Sequence, residues 1–136
     1  MRTKKIKPPP DKFEYVLRIS KEFDSFKNAP YFSFMFNTTK KFLTFRYILS
    51  IETEIKDNNL NFEILGFKAP IGELSNFGEA EYEFRLYQFN FSEYNVSIHR
   101  KDVDSVKFKL LFQSSDIIPV KIGRLSKNSF IEITTA

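Results

Sequence analysis

The sequence predicts a single all-β domain, an antiparallel β-sandwich of about nine strands, with a closed or flattened antiparallel β-barrel as the alternative. Three observations carry this expectation. Apolar residues alternate with polar ones at a period of two in stretch after stretch, the pattern of half-buried strands. Turn-forming residues separate these stretches at short, even spacing, and no helical pattern comes between them to suggest a parallel sheet. The composition has only four Ala and four Gly but 17 Phe in 136 residues, which suits pleated surfaces packed on rings better than helix packing.

Folded structure is expected from Asp11 onward. Residues 1–10 read as a flexible basic tail, because Pro8, Pro9 and Pro10 fix φ and offer no N–H to a ladder. Phe13, Tyr15, Leu17 and Ile19 then alternate with Lys12, Glu14, Val16 and Arg18, giving a first strand. Ser20 to Asn28 suits one or two helical turns, with Ser20 as N-cap and Phe23 and Phe26 on one face before Pro30 interrupts. Phe32, Phe34 and Phe36 form the next apolar row.

A long run sets Phe45, Tyr47, Leu49, Ile51 and Ile55 against Thr44, Arg46, Ser50, Glu52, Glu54 and Lys56, with Ile48 the apolar exception on the outer face. Asp57, Asn58 and Asn59 make the turn into Leu60, Phe62 and Ile64. A two-residue turn at Asp57-Asn58 sets Ile55 opposite Leu60, and one at Asn58-Asn59 sets it opposite Phe62. Both keep apolar facing apolar, whereas a regular three-residue loop turns one core row outward.

Lys68 to Gly78 reads as the longest loop. In the following strand Tyr82, Phe84 and Leu86 are even-numbered, but Tyr87, Phe89 and Phe91 are odd. The apolar face changes phase near Leu86. A β-bulge there would reunite both halves on the core side, while a straight strand would leave one aromatic row outside. The bulge is favoured. Ser92 to Asn95 is the expected next turn, with Phe91 able to pair with Val96. Further strands are expected around Val96 to Ile98, Val106 to Phe112, Ile118 to Ile122 and Phe130 to Thr134.

The formal charge of +4 is narrower than it looks. Arg2, Lys4, Lys5 and Lys7 supply the whole excess, leaving 17 basic residues against 17 acidic ones in the rest of the chain. Four such charges are worth about 4 kcal/mol at an anionic surface, roughly millimolar affinity. On nucleic acid they would give a salt slope of about −3.6. The tail is therefore a weak anion-binding element, and nucleic acid is not favoured beyond such contacts. No apolar run is long enough for a transmembrane helix. With prolines where a signal peptide would turn apolar, and with no cysteine, a cytoplasmic location is expected.

The search for chemistry removes the common enzymatic routes, so a non-enzyme is favoured and no cofactor is expected. No cysteine thiolate is available to zinc or to nucleophilic attack, and no Gly-rich phosphate loop or nucleophile elbow occurs. His99 could serve as a base only if the fold brings a carboxylate or hydroxyl to it. The i, i+2 pairs Glu52 with Glu54 and Glu81 with Glu83 could support a carboxylate hydrolase, but they are also what the solvent side of any amphipathic strand carries. The leading expectation is a non-catalytic binding or assembly module acting through a β-sheet face or loops. Its expected partner is a protein or a second copy, and Tyr87, Phe89 and Phe91 are the candidate contact residues. A barrel carrying a small apolar molecule is the alternative, and the hydrolase a third.

Overall fold

Each alternating stretch can bury one row of side chains only by packing that row against another sheet, and the chain does so twice over. A computed structural model describes residues 14–42, 48–68, 78–125 and 130–135. Its nine strands are β1 (Tyr15–Asp24), β2 (Ala29–Phe42), β3 (Ile48–Lys56), β4 (Asn59–Lys68), β5 (Gly78–Leu86), β6 (Glu93–Arg100), β7 (Asp104–Phe112), β8 (Val120–Leu125) and β9 (Ile131–Thr135). Hydrogen bonding orders them β8-β7-β6-β4-β3-β5-β2-β1-β9. Among the described residues one bridge, Ile48 to Glu81, joins β3 to β5. The array is thus a five-stranded layer (β8-β7-β6-β4-β3) on a four-stranded one (β5-β2-β1-β9), a sandwich and not a closed barrel. Among the described residues no ladder connects β8 to β9, and no helix occurs.

The predicted apolar rows form the core. Leu17 and Ile19 of β1, Phe32, Phe34 and Phe36 of β2, Leu60 and Phe62 of β4 and Phe112 of β7 are all fully buried. Phe32 stacks on Phe112 across the layers at 3.9 Å between ring centres and 7° between planes. Phe34 and Phe36 meet Phe62 at 5.5 and 5.1 Å. Each such ring contributes about 1.5–3 kcal/mol by leaving water. Five neighbour pairs are antiparallel, while β1/β9, β3/β5 and β4/β6 are parallel. The β4/β6 pair is parallel because β5, between them in sequence, crosses to the other layer.

The β3–β4 hairpin takes the Asp57-Asn58 turn, with Ile55 opposite Leu60 and Asp57 at φ 54°. Farther along, Ser50 pairs with Gly66 but Ile51 with Ile64, so Leu65 is an extra residue. This bulge returns Phe67 to the side of Leu49. Gly66 at φ +131° holds a conformation that side chains rarely adopt.

Five expectations are corrected. Residues 20–28 are not helical: β1 continues to Asp24 and pairs with β2 through Asp24–Ala29. The intervening turn is fixed by Asp24, whose Oδ1 accepts the N–H groups of Phe26 and Lys27 at 2.9 and 3.1 Å, and by Asn28 at φ 52°. Pro30 does not interrupt but lies within β2, beyond the end of β5, which reaches only to Leu86 opposite Phe32. The phase change at Leu86 is neither a bulge nor a straight strand: β5 ends there, and Tyr87 to Ser92 cross irregularly to β6. Phe91 does not pair with Val96, which lies in β6 between Leu60 and Phe108. The last expected strand pair also shifts, since β8 begins at Val120 and leaves Ile118 in a loop. Phe45 and Tyr47, the Lys68 to Gly78 loop apart from its end residues, and the basic tail lie outside the described residues.

Strand directions sort the connections by end. The β1–β2 turn, the β3–β4 turn, Tyr87 to Ser92 and Gln113 to Pro119 all fall at the end where β1 finishes. At the opposite end, the β6–β7 turn lies against the start of β1. There Arg100 donates to Asp104 through Nε at 2.7 Å and Nη2 at 2.8 Å, and to Glu14 through Nη1 at 2.8 Å. Its guanidinium also lies 4.8 Å from the Phe130 ring centre.

Candidate functional site

The residues that the fold places where β1 finishes are unusual for a solvent-exposed surface. Phe26 at the turn tip is 99% exposed and Ile117 is 89% exposed, while Phe23, Phe91 and Ile118 are each more than half exposed. Contacts bind their segments together. Lys21 Nζ lies 5.8 Å from the Phe91 ring centre and 3.9 Å from Asp116 Oδ1, joining β1 to both long connections. Tyr87 donates its hydroxyl to Asp24 Oδ2 at 2.7 Å. Lys27 Nζ sits over the Tyr87 ring at 4.1 Å, and Tyr87 packs against Tyr31 at 5.1 Å.

Asp24 is the hinge of this arrangement. The Tyr87 hydroxyl, then the backbone N–H of Lys27, hold its carboxyl below the ordinary value. One carboxylate thus fixes the turn that presents Phe26 and anchors the aromatic connection beside it. Arg85 supports both, its Nη1 lying 3.6 Å from Asp24 Oδ2 and donating to the Tyr87 hydroxyl at 3.4 Å, with Nε held by Glu83 at 3.0 Å. The apolar knobs are therefore displayed from braced segments, the 113–119 connection being held by Ser115 Oγ, which accepts the N–H groups of Ile117 and Ile118, and by Gln113, which donates to the carbonyls of Ile118 and Pro119.

The predicted aromatic trio divides. Tyr87 is a bracing residue. Phe89 turns inward, edge-on to Phe32 at 4.7 Å. Phe91 alone of the three presents a large exposed surface, in an edge-to-face contact with Phe89 at 5.7 Å. As contact residues Phe23, Phe26, Ile117 and Ile118 are not marked by the sequence pattern, which places Phe23 and Phe26 on one face of a helical turn and Ile118 at the start of a strand. The available signal was an apolar residue inside the turn formula Asp24-Ser-Phe-Lys-Asn28, and two more between Asp116 and Pro119, positions where nothing obliges burial.

The other candidates lie elsewhere. Glu52 and Glu54 point outward from the five-stranded layer, Glu81 and Glu83 outward from the four-stranded one, so the two pairs do not converge. Glu83 accepts from Ser33 Oγ at 2.6 Å and from Arg85, and Glu81 accepts from Asn37 at 3.2 Å. His99 lies on the outer face of β6, and the register places Glu63 on one side of it and Ser105 on the other. No hydrogen bond links the three. That outer face has two shallow depressions, of about 480 Å³ over Glu52, Glu54, Asn61 and Glu63 and about 400 Å³ beside Asn95, Ser97, Lys107 and Lys109. Among the described residues no group of three or more acidic or histidine side chains could hold a metal ion, and no helix is long and apolar enough to cross a membrane. No protein-family model, curated protein or solved structure matches the chain.

Proposed function

We propose that this protein is a non-catalytic binding module that engages a protein partner through the loops at the end where β1 finishes. The observation that supports this most is the gathering there of Phe23, Phe26, Phe91, Ile117 and Ile118, all exposed, on segments braced by Asp24, Tyr87 and Lys21. Leaving such side chains in water forgoes burial worth about 1.5–3 kcal/mol each, and exposed apolar clusters with a polar rim characterise interaction surfaces. The rim carries Lys21 and Lys27 as well as Glu22 and Asp116, a mixed-charge border that suits a protein better than a uniformly charged polymer. Bracing before contact limits the ordering cost of association. The carrier reading gains less, because the Phe rings that would line a cavity are in contact with one another.

Quantitative capture from the native lysate tests the reading, using immobilised wild type, Phe26→Asp, Ile117→Asp and, as a control on the outer face of the four-stranded layer, Arg18→Asp. A partner retained by wild type and the control but weakened at least about tenfold by both loop variants, roughly 1.4 kcal/mol or more, is the expected result. A partner held equally by all four proteins would refute it.

A further inference from the structure

The charges bordering the loop end are not equally satisfied from within. Asp24 Oδ2 accepts the Tyr87 hydroxyl at 2.7 Å, and Arg85 Nη1 lies 3.6 Å from the same oxygen. Asp116 Oδ1 is 3.9 Å from Lys21 Nζ, and Glu22, on the outer face of the four-stranded layer, accepts from Ser20 Oγ at 2.8 Å. Lys27 differs. It follows Phe26 at the exposed tip of the β1–β2 turn, and among the described residues its ammonium has no carboxylate partner. Its Nζ rests instead 4.1 Å from the centre of the Tyr87 ring, which is fixed by its hydroxyl contact with Asp24 and by packing on Tyr31. A ring attracts a cation but leaves the N–H groups turned away from it open to a carboxylate.

We infer that the partner segment held at this end carries a carboxylate that pairs with Lys27, beside the apolar side chain that covers Phe26. The pairing rests on the loop-end reading, and charge complementarity selects the occupant. A surface that covers the exposed Phe26 ring also shelters its neighbour Lys27 from water, and a sheltered ammonium costs free energy unless an anion meets it. In that setting the pair is stronger than in bulk water, because the effective dielectric constant falls. The Tyr87 ring holds the Lys27 head before contact, so less side-chain freedom is lost when the pair forms. Phe26 and Lys27 are adjacent at one tip, so the features they read must also be close together. The segment therefore presents an Asp or Glu within about four residues of a large apolar residue, the span of one helical turn or a short extended stretch. The apolar contact supplies affinity, and the carboxylate decides which apolar segments are accepted.

Selection from a displayed library of random short peptides on the immobilised full chain supplies the probe. Titration of the selected peptides then compares wild type, Phe26→Asp, Lys27→Arg, Lys27→Met and Lys27→Glu. The selected peptides are expected to combine an Asp or Glu with a nearby large apolar residue. Lys27→Met, which keeps an apolar stem on the Tyr87 ring, should weaken them about three- to tenfold and flatten their salt dependence between about 0.05 and 0.5 M. Lys27→Arg should bind within about threefold of wild type, and Lys27→Glu about tenfold or more weaker. Exchanging the peptide's acid for Lys should restore binding to Lys27→Glu within about threefold of the original pair. Peptides lost with Phe26→Asp yet unchanged by Lys27→Met and Lys27→Glu overturn the pairing and leave the loop-end reading standing. Peptides that Phe26→Asp does not weaken count against both, and a library that yields no binder of wild type overturns the pairing. Circular dichroism checks that each variant folds, and if Lys27→Glu does not, the Lys27→Met result alone decides.

Discussion

Arg100 shows how much a single side chain can fix. It forms a two-pronged contact with Asp104 and reaches Glu14 across the sandwich end, while its flat face covers Phe130. The pairs differ in value. Glu14 is largely exposed, so that contact adds little, whereas the geometry toward Asp104 is bidentate and half-sheltered. Arg100→Ala should therefore cost about 2 kcal/mol, most of it lost with the Asp104 contact. Arg100 also sets part of the acid response. Its hydrogen bonds hold the Asp104 carboxyl below its ordinary value of 3.8, so the unfolded chain binds the proton more readily. The stabilisation is full above pH 3.8 and is lost as pH falls through the lower folded value. Urea midpoints measured against pH should drop below about pH 4 in wild type and drop less steeply in Asp104→Asn; equal slopes would show that this pair contributes nothing.

At the scale of elements, turns decide more than strands do. Asp57 at φ 54° lets the β3–β4 hairpin close in two residues and keeps Ile55 over Leu60. A β-branched residue resists that conformation, so Asp57→Val should destabilise by about 1–2 kcal/mol and Asp57→Gly should not, as thermal melting would show. The period of two made β1, β3, β4 and β7 legible, because a strand with one buried face must alternate. Elements that follow other rules were hidden. Phe23 and Phe26 share a helical spacing, yet Asp24 and Asn28 encode a tight turn, and the pairing of β1 with β2 outweighs the local preference. The aromatic phase change was visible, but whether the chain bulged or left the sheet depended on β5 and β6 belonging to different layers, a non-local fact. The same limit applied to the candidate site: Phe91 was legible as an aromatic out of phase, while Ile118 became conspicuous only once a loop had removed it from β8.

Across the whole molecule, stacked rings such as Phe32 and Phe112 join two layers of unequal size. This division of labour leaves the chemistry of the surface to the ends and faces. One end is tied by Arg100 to charged partners. The other gathers exposed rings and aliphatic side chains on loops held by Asp24, Tyr87 and Lys21, and that end is the proposed contact surface. Hydrogen exchange followed by mass spectrometry, comparing the free protein with its isolated complex, tests this most directly. Slowed exchange is predicted in residues 21–28, 87–92 and 113–119, with the β6–β7 turn at the far end unchanged. Protection confined to that far turn or to the outer face of the four-stranded layer, with the loop segments exchanging as in the free protein, would contradict it.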